Sequence, residues 1–556
     1  MTNAVFNVPE PRNEPVLSYA PGTTERESLR SVLDDMLGKE VEIPIIVGGK
    51  QIRTGDMGEC RCPHDHRHVL GRYHKATPQI VSQAERAAAE AWTEWSVMEW
   101  RARASVFLKM AELLAGKYRA ILNAATMLGQ SKTPHQAEID AACELIDFYR
   151  FNTHYLQQIY EWQPASAPGM WNYVEYRALE GFIFAVTPFN FTSIGGNLPT
   201  SPALMGNTVL WKPASSAIYS AYYLTELFRE AGLPDGVINF IPGSGGKVGG
   251  PVMELDTMAG IHFTGSTEVF QNMWATVGNN IKKYKVYPRI VGETGGKNYI
   301  FVHPSANLDA VVANAIRGAY EYQGQKCSAA SRVYIPKSLW PGFKERFVAE
   351  VETIKMGEVT DFTNFMGAVI DEEAFKSITA YIDYAKDSSE AEIVTGGQYD
   401  DTEGYFIEPT AVLTDNPKFR LMEEEIFGPV LTLYVYPDGE YEETLAVCNE
   451  TSPYGLTGAI FADDRNAIEK AYHALRQTAG NFYINDKPTG AVVGQQPFGG
   501  SRASGTNDKA GSAGNLVRWT SIRTVKETFV PATDYRYAYM QAEEGARVVE
   551  VRKKAV

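Results

Sequence analysis

The stretch Gly324-Gln325-Lys326-Cys327-Ser328-Ala329-Ala330-Ser331-Arg332 lies near the middle of the chain, between a predicted helix over Val311–Tyr322 and a predicted strand over Val333–Pro336. Helix, loop and strand in this order indicate an α/β unit. Small residues around a thiol leave room for a substrate carbon and offer backbone N–H groups to an oxygen that becomes negative. A lone Cys is more often a small buried hydrophobic residue, so the rest of the chain must decide.

The composition places the chain among globular proteins of more than one domain. Its 556 residues are too many for one hydrophobic core and suit two or three domains. Hydrophobic residues make up 44% and charged residues 21%, as in folded rather than disordered proteins. The net charge of -15 is the opposite of the basic surface typical of nucleic-acid-binding proteins, so we expect no nucleic acid as a partner.

The cysteines and the N-terminus indicate a reducing compartment. Cys60, Cys62, Cys143, Cys327 and Cys448 are too few and too scattered for a disulfide framework. The first residues resemble neither a signal peptide nor a transit peptide, and no apolar run has the length of a membrane span. We expect a soluble protein with no membrane partner. It would be cytoplasmic in a bacterium and, as a mature form without its presequence, in the mitochondrial matrix of a eukaryote.

The first 180 residues combine a polar arm with a helical layer. Residues 1–45 are polar and contain one amphipathic helix near Glu25–Leu37. Thr77-Pro78 is a helix start, with a hydroxyl cap and proline at the first helical position. Apolar residues then recur at helical spacing as far as Phe151. The stretch Gln163–Arg177, rich in proline and aromatic residues, predicts a projecting hairpin.

The segment Cys60–His68 allows two interpretations. Its alternating pattern predicts a β-hairpin. A metal site built on His64, His66 and His68 is the alternative, but the spacing is not that of a zinc finger. We favour the hairpin and expect no metal.

From residue 181 onwards short apolar strands alternate with helices, which is typical of a parallel α/β sheet. Polar or Gly-rich loops follow these strands, where an open α/β sheet binds its ligand. The predicted elements of this first block are strands Gly181–Val186, Thr208–Trp211, Val237–Ile241 and Gly260–Phe263 and helix Ser216–Ala231. A second block after Cys327 has strands near Ala368–Ile370, Val430–Tyr434 and Thr524–Phe529 and a polar amphipathic tail, Tyr535–Val556, suited to packing on a partner subunit.

Three of the loops suit a phosphate or ribose. Glycines in Gly243–Gly249 permit close approach of a pyrophosphate, although the spacing is not strict G-x-G-x-x-G and a plain strand-to-helix turn is the alternative. Phe263–Glu268 offers hydroxyls and amides to phosphate oxygens, or caps a helix. Lys212 can reach a ribose or phosphate, although a lone Lys is more often solvated.

Two further loops suit catalysis. Glu293 lies among glycines in Gly292–Asn298, and an apolar environment would raise its pKa and make it a usable base. Asn190 follows the first strand of the sheet and can donate to an oxyanion, while Phe191 can line a cleft. A surface Glu and an ordinary turn Asn are the alternatives.

Together these motifs resemble the aldehyde dehydrogenase superfamily over nearly the whole chain. Six of them occur in the order of that family: Pro188-Phe189-Asn190, Lys212-Pro213, Phe263-Thr264-Gly265-Ser266, Gly292–Lys297, Gly324–Ser328 and Glu425–Val430. Four stretches look like the stand-alone branch that oxidises L-glutamate γ-semialdehyde in proline degradation: Phe189–Thr192, Tyr320–Gln323 before Cys327, Asn481–Lys487 and Gly494–Gly500.

The resemblance implies a covalent mechanism. Cys327 would attack the aldehyde to give a thiohemiacetal, with its oxyanion held by Asn190 and the Cys327 backbone N–H. Hydride would pass to a nicotinamide, leaving a thioester. Glu293 would then activate the water that releases the acid. A free thiol has a pKa near ~8.5, so nearby N–H groups or a cationic nicotinamide must favour the thiolate.

The resemblance also implies NAD as cofactor and a small-molecule substrate that carries an α-carboxylate. The expected cofactor-binding residues are Thr187, Lys212, Ser215, Gly265, Ser266, Thr267, Glu268, Val269, Glu425 and Phe427. Ser215 replaces a ribose-binding Glu of many relatives, so NAD over NADP depends on the closer branch. The expected substrate-binding residues are Phe191, Ser328, Gly490, Ala491 and Phe498. Ala491 replaces a common Ser, which puts a side-chain contact in doubt but leaves the backbone amide.

The implied architecture is an α/β aldehyde dehydrogenase fold that forms a homodimer. We expect an N-terminal arm (1–45), a Rossmann-type NAD-binding domain (46–160 and 181–291), a catalytic domain (292–505) and a small β oligomerisation region (161–180 and 506–556). The alternatives are a dehydrogenase for another semialdehyde, a CoA-acylating enzyme, which would lack Glu293, and a non-catalytic binding protein, which tends to lose the nucleophile.

Overall fold

The computed structural model describes residues 4–541 and 545 of the chain. Its strands alternate with helices along most of the sequence. The strands are β1 (Val41–Ile43), β2 (Ile45–Val47), β3 (Lys50–Ile52), β4 (Met57–Cys62), β5 (Asp65–His74), β6 (Met170–Ala178), β7 (Phe182–Thr187), β8 (Thr208–Pro213), β9 (Ile238–Phe240), β10 (Met258–Thr264), β11 (Arg289–Glu293), β12 (Asn298–Val302), β13 (Ala330–Pro336), β14 (Ala391–Thr395), β15 (Tyr399–Asp400), β16 (Phe406–Ile407), β17 (Thr410–Thr414), β18 (Val430–Tyr436), β19 (Tyr454–Gly455), β20 (Thr457–Phe461), β21 (Asn481–Ile484), β22 (Ser501–Arg502) and β23 (Thr520–Thr528).

Along the sequence, most helices connect strands that belong to two large sheets. The α-helices are α1 (Thr24–Leu37), α2 (Pro78–Trp95), α3 (Trp100–Ala115), α4 (Arg119–Gln130), α5 (Pro134–Ala137), α6 (Leu145–Glu161), α7 (Thr192–Leu204), α8 (Ile218–Ala231), α9 (Gly250–Met253), α10 (Thr267–Asn279), α11 (Leu308–Tyr320), α12 (Trp340–Val351), α13 (Glu372–Asp387), α14 (Arg420–Glu423), α15 (Tyr441–Glu450), α16 (Arg465–Ala474) and α17 (Ala513–Val517). A π-helical turn, Glu138–Glu144, joins α5 to α6. The predicted helix near Glu25–Leu37 and the helix start at Thr77-Pro78 are confirmed, but the predicted cap is wrong, since the Thr77 side chain makes no capping hydrogen bond.

The first large sheet has the order β11-β10-β7-β8-β9-β2-β3. Strands β11, β10, β7, β8 and β9 run parallel, so their carboxyl ends share one edge. Strand β7 is apolar on both faces because helices cover both sides. Its Phe182 and Phe184 belong to one buried cluster, while Ile183 and Ala185 belong to another. Burial of each Phe or Ile side chain contributes roughly 1.5–3 kcal/mol to the free energy of folding.

The second large sheet has the order β14-β17-β18-β13-β12-β20-β21. It is parallel except for β14, which pairs antiparallel with β17. Alternate residues of β12 again enter different clusters: Tyr299 and Phe301 on one face, Ile300 and Val302 on the other. The predicted α/β fold with two parallel-sheet blocks is therefore confirmed. The division into domains at residues 160, 181, 291 and 505 stays a prediction.

The predicted hairpin at Gln163–Arg177 is wrong in one respect. Strand β6 lies in this region but pairs antiparallel with β23 from the far end of the chain. The residues before β6 do not pair with it as a second strand. Instead the Gln163 side chain bonds to the Val174 backbone: Oε1 accepts from the Val174 N–H at 2.9 Å, and Nε2 donates to the Val174 carbonyl at 3.2 Å. Strands β6 and β23 together form a two-stranded arm.

The predicted strand near Ala368–Ile370 is also wrong, since these residues form no ladder. Side chains bind most of the backbone N–H groups that a ladder would use. The Ala368 N–H donates to Ser131 Oγ at 2.9 Å, and the Ile370 N–H donates to Gln325 Oε1 at 2.9 Å. Strand β18 confirms the prediction for Val430–Tyr434, and β23 begins before the predicted Thr524. The predicted amphipathic tail, Tyr535–Val556, lies largely outside the described residues.

Candidate active site

Cys327 is presented by a strained turn between α11 and β13. The helix ends because Tyr322, Gln323 and Gly324 adopt left-handed backbone conformations, with φ of 51°, 54° and 66°. A Cβ at Gly324 would lie 2.2 Å from the carbonyl oxygen of Gly428, so only glycine fits there. The Gln323 amide secures the turn by donating to the Ser131 carbonyl at 3.0 Å. The chain thereby reverses direction just before the thiol.

Asn298 fixes the backbone on the other side of the thiol. This buried residue begins β12, and its Nδ2 donates to the carbonyl oxygens of Cys327 at 2.7 Å and Ala329 at 2.8 Å. Its Oδ1 accepts from the Thr457 N–H at 3.0 Å. Sequence reasoning did not assign this residue a role, although it lies inside the quoted Gly292–Asn298 motif.

Asn190 lies beside the same turn. It follows β7, is buried, and donates through Nδ2 to the Gln325 carbonyl at 3.1 Å. A side-chain amide has two N–H donors, and this bond uses one of them. The contact places the Asn190 amide against the backbone two residues before Cys327. An oxyanion donor must lie near the nucleophile in this way.

The surroundings of the Cys327 thiol favour its protonated form. Burial raises its pKa well above the ordinary value, and the charges of Glu425, Glu293 and Glu144 raise it further. A backbone N–H at Cys327 acts in the opposite direction. The thiolate therefore forms only when a cation or additional donors come close to it, or when its proton is removed during attack.

Glu293 ends β11 and faces a loop from much later in the chain. Its Oε2 accepts from the Gly500 N–H at 2.8 Å. Burial raises its pKa well above the ordinary value, while the Gly500 N–H and the Lys509 charge lower it. Lys509 is held beside it by the carbonyls of Gly480 at 2.8 Å and Gly499 at 3.1 Å. Sequence reasoning missed both Gly500 and Lys509, because they follow Glu293 by more than 200 residues.

The predicted cofactor residues of the first sheet lie at its carboxyl edge. Thr187 ends β7, and its hydroxyl accepts from Trp211 Nε1 at 3.0 Å. Lys212 lies in β8 and is buried; within the described residues its ammonium donates only to the Pro213 carbonyl, at 3.2 Å. Burial lowers the pKa of Lys212 to about 8. A buried ammonium with so few partners suits a ligand that supplies hydroxyl or phosphate oxygens.

Two exposed elements complete this edge. Ser215 begins a short 3₁₀ turn, Ser215–Ala217, after β8. The segment Gly265–Val269 comprises the two residues after β10 and the first turn of α10, where the Ser266 hydroxyl accepts from the Val269 N–H at 3.4 Å. The sequence allowed either a helix cap or a phosphate site at Phe263–Glu268. Both would lie at the start of α10, so the two interpretations are compatible. Glu268 and Val269 are exposed, and Thr267 Oγ1 donates to the Tyr454 hydroxyl at 3.4 Å.

Glu425 and Phe427 approach from the second sheet. Glu425 Oε1 accepts from the Gly296 N–H at 2.8 Å. Burial raises the pKa of Glu425 to about 7 and lowers that of neighbouring Lys297 to about 7. Phe427 has a left-handed backbone, with φ 57°, and its ring packs edge-on against Phe189 with centroids 5.8 Å apart. The contact joins the loop after β7 to the loop before β18.

The predicted substrate residues come from three segments. Ser328 is buried, and its hydroxyl lies 2.8 Å from that of Thr489, next to Gly490. Gly490 has φ 93°, while Ala491 is partly buried in the same loop. Phe498 pairs with Ala510 through two backbone hydrogen bonds of 3.1 and 2.8 Å. The structure thus brings Ser328 to the Gly490 loop, and Thr489 is the residue that sequence reasoning missed there.

The ring of Phe191 lies against a buried charge. The Lys132 ammonium is 4.2 Å from the Phe191 ring centroid and 4.4 Å from that of Tyr322. Both rings adjoin the loops that carry Asn190 and Cys327. No sequence motif marked Lys132, because its partners are distant along the chain.

The histidines of the predicted hairpin have structural contacts. The hairpin is confirmed as β4 and β5. His64 Nδ1 lies 3.2 Å from Ser131 Oγ, and His66 Nε2 lies 2.8 Å from the Asp401 carbonyl. Within residues 4–541 and 545, no group of three or more His, Cys, Asp or Glu side chains is arranged to hold a metal ion. Nor does any helix of the described part combine the length and apolar character needed to cross a membrane.

Comparison with known proteins shows that nearly the whole chain is similar to one family of enzymes. Residues 52–525 match the profile of the "Aldehyde dehydrogenase family". The mitochondrial delta-1-pyrroline-5-carboxylate dehydrogenase of Dictyostelium discoideum is 53% identical, over 96% of this chain and 96% of the relative. The Homo sapiens protein of the same name is 48% identical, over 95% of this chain and 94% of its own. A crystal structure of the Delta-pyrroline-5-carboxylate dehydrogenase from Mycobacterium tuberculosis bound with NAD has a TM-score of 0.94 and 50% identity, over 97% of this chain and 100% of that one.

Proposed function

This chain belongs to the aldehyde dehydrogenase family, and from that premise we propose that it oxidises L-glutamate γ-semialdehyde to L-glutamate with NAD, in the degradation of proline. The semialdehyde is the open form of 1-pyrroline-5-carboxylate, the compound in the names of the relatives. The observation that carries the proposal is the convergence of Cys327, Asn190 and Glu293 at one site, in a chain about 50% identical to those relatives over nearly its full length.

The residues at the carboxyl edge of the first sheet suit NAD. Lys212 is a buried ammonium that lacks a carboxylate partner among the described residues, and the start of α10 offers N–H groups to a phosphate. Glu425 would hold the nicotinamide ribose, with Phe427 beside it. NAD, when bound, supplies the hydride acceptor. The relative with 50% identity was solved with NAD.

The first chemical step uses the thiol and the oxyanion donors. Cys327 Sγ attacks the aldehyde carbon as its proton passes to solvent water, and a thiohemiacetal anion forms. The developing O⁻ accepts hydrogen bonds from Asn190 Nδ2 and the Cys327 N–H; loss of one such donor typically costs about 10²–10³ in rate. Departure of hydride from the same carbon leaves a thioester on Cys327.

The second step uses Glu293. Its ionised carboxylate removes a proton from water as the water attacks the thioester carbon, and Cys327 leaves as the thiol or thiolate. A carboxyl group with a pKa raised by burial is a stronger base than a surface carboxylate, which suits this role. A CoA-acylating enzyme would have no use for such a base at this position.

The substrate's own carboxylate would bind at the other end of the pocket. Ser328 Oγ and the backbone amides of Gly490 and Ala491 offer donors without a full counter-charge. Phe191 and Phe498 would enclose the methylene groups. A semialdehyde with this spacing of aldehyde and carboxylate would bridge Cys327 and the Gly490 loop.

The arm formed by β6 and β23 supports a homodimer, since a two-stranded ladder that pairs with no further described strand offers an edge to a second copy. Several relatives are named as mitochondrial. We place this enzyme in the mitochondrial matrix if the source is eukaryotic and in the cytoplasm if it is bacterial.

The test of the proposed function is NADH formation by the wild-type enzyme and the Cys327→Ala variant. Pyrroline-5-carboxylate, succinate semialdehyde and propionaldehyde serve as substrates. We expect a strong preference for pyrroline-5-carboxylate, abolished by the substitution. Equal rates on all three aldehydes would preserve the chemistry but contradict the carboxylate pocket. Absence of activity with NAD and with NADP would contradict the proposed function altogether.

A further inference from the structure

The N-terminal segment Val8–Tyr19 has no regular secondary structure, and side chains of the helical layer hold it in place. At one end, the Val8 N–H donates to Gln157 of α6 at 2.7 Å. At the other end, the Leu17 N–H and the Tyr19 hydroxyl donate to the buried Glu138 carboxylate at 2.8 and 2.7 Å. A segment outside helices and sheets has no regular hydrogen bonds to satisfy its backbone, so these contacts define its course.

Charged contacts hold the middle of this segment. Glu14 pairs with Arg119 of α4 at 2.5 Å and with Arg150 of α6 at 2.7 Å. The Arg119 guanidinium also donates to the Pro15 carbonyl at 2.7 Å. The side chains of Glu14 and Arg119 are only 11% and 10% exposed, so water weakens this pair less than it weakens a surface pair. The segment is therefore a fixed part of the fold.

One residue of the segment reaches the substrate loop. Asn13 Nδ2 donates to the Val493 carbonyl at 2.7 Å and to Asp147 Oδ2 of α6 at 2.7 Å. Asn13 Oδ1 accepts from Gln495 Nε2 at 3.0 Å. The Glu14 N–H donates to the other oxygen of Asp147 at 2.7 Å. Asn13 thus joins helix α6 to the loop that runs from Gly490 to Phe498.

The turn in the middle of that loop is supported from within and by α6, while its far end is held by Asn481, which donates to the Pro497 carbonyl at 3.1 Å, and by Ala510, which pairs with Phe498. The Val492 N–H donates to Gln496 Oε1 at 2.9 Å, which closes a tight turn. Gly494 has φ 82° and packs so closely on α6 that a Cβ there would lie 2.2 Å from the Phe151 ring. Gly490 and Ala491 precede this turn, and Phe498 follows it. A contact that holds Val493 in place therefore also determines where the Gly490 and Ala491 amides lie.

We infer that Asn13 is a positioning residue for recognition of the substrate carboxylate: it holds the Val493–Gln495 turn against α6 and so aligns the Gly490 and Ala491 amides. The inference rests on the proposed function, in which those amides receive the α-carboxylate of glutamate γ-semialdehyde. An aldehyde without a carboxylate makes no use of them. Loss of the Asn13 contacts should therefore affect the carboxylate-bearing substrate selectively.

The experiment compares KM and kcat of the full-length enzyme for pyrroline-5-carboxylate and for propionaldehyde. For Asn13→Ala we expect KM for pyrroline-5-carboxylate to rise about fivefold, the effect of roughly one hydrogen bond, with kcat and the propionaldehyde constants changed less than about twofold. The control is Asn7→Ala: Asn7 directly precedes the segment, but its side chain accepts a hydrogen bond from Gln157 at 2.7 Å, away from the loop. It should leave both substrates unchanged.

A second variant covers the case in which Asn13→Ala does not fold. Gln495→Ala removes one of the same contacts from the exposed side of the loop, and should raise KM for pyrroline-5-carboxylate by about twofold to threefold with no change for propionaldehyde. If KM changes equally for both aldehydes, or for neither, in the variants that fold, the inference is wrong. The proposed function would still stand if the wild type prefers pyrroline-5-carboxylate. A wild type without that preference would overturn both.

Discussion

The Lys132 ammonium lies 2.7 Å from Asp140 Oδ2, and both side chains are 0% exposed to solvent. The Asp140 carboxylate also accepts from the backbone N–H groups of Thr192 at 3.0 Å and Ser193 at 2.8 Å, the first residues of α7. Asp140 thereby caps the helix that begins directly after Asn190 and Phe191. The ion pair therefore stabilises the loop that carries Asn190 and Phe191, which are expected to bind the oxyanion and the substrate methylenes.

Replacement of Lys132 by Met should destabilise the enzyme strongly. It leaves the Asp140 charge buried without its partner, which typically costs about 3–5 kcal/mol. The midpoint of urea unfolding followed by tryptophan fluorescence measures the effect. The matched control is Lys376→Met: Lys376 forms an exposed pair with Glu372 in α13 that water screens, so its loss should shift the unfolding midpoint far less. Similar shifts for the two variants would contradict a structural role for the buried pair.

Replacement of Glu293 by Gln should separate the two chemical steps. Acylation of Cys327 does not need this base, so a rapid burst of about one NADH per active site should persist in stopped-flow absorbance. Hydrolysis of the thioester does need it, and we expect the steady-state rate to fall by about 10²–10⁴. Glu254→Gln, which alters an exposed residue paired with Lys283, serves as control and should behave as wild type. A variant without a burst would assign Glu293 to acylation instead.

The pH dependence of turnover should show a rising limb that belongs to Glu293. The carboxyl group acts as a base only when it has lost its proton, and burial raises its pKa above the ordinary value. The ionised, active fraction of Glu293 therefore grows at higher pH than it would for an ordinary carboxyl group. The measurement is kcat against pH for wild type and Glu293→Gln. We expect the limb in the wild type and a much weaker dependence in the variant; the same limb in both would assign it to another group.

Replacement of Gly324 by Ala should abolish activity. The left-handed φ of 66° alone costs about 1–2 kcal/mol for a side chain. The new Cβ would also lie 2.2 Å from the Gly428 carbonyl oxygen, which is backbone and cannot rotate away. Relief of this clash displaces either the Cys327 turn or the loop that carries Glu425 and Phe427, so kcat should fall together with stability.

The control for Gly324 isolates the backbone effect. Gly232, at the end of α8, has φ 90°, but a Cβ there meets nothing within 4 Å. Gly232→Ala should therefore lose only about 1–2 kcal/mol of stability and keep the wild-type kcat. NADH assays and urea unfolding on both variants provide the comparison. If Gly324→Ala were no worse than Gly232→Ala, close packing against Gly428 would not be what requires glycine at position 324.

Local sequence patterns were sufficient for four strands of the first sheet, β7 to β10, but β2, β3 and β11 were not predicted. Each of its parallel strands is a short apolar run followed by a polar or Gly-rich loop, because helices bury both faces and the ligand edge is polar. Thr187, Lys212 and the Gly265–Val269 loop were therefore predictable as neighbours at one edge. The patterns failed at Ala368–Ile370, which is apolar like a strand but donates to the side chains of Ser131 and Gln325.

The sequence by itself determined the kinds of group at the site: one thiol among small residues, a carboxylate among glycines, an amide at a strand end and the order of the family motifs. Only the tertiary structure decided what surrounds them. Gly500 and Lys509 reach Glu293, Asn298 holds the Cys327 carbonyl, and Asn13 lies on the Val493 loop. The reason is physical: burial and hydrogen bonding set the pKa and the position of each group, and both come from residues that are remote in the chain and adjacent only after folding.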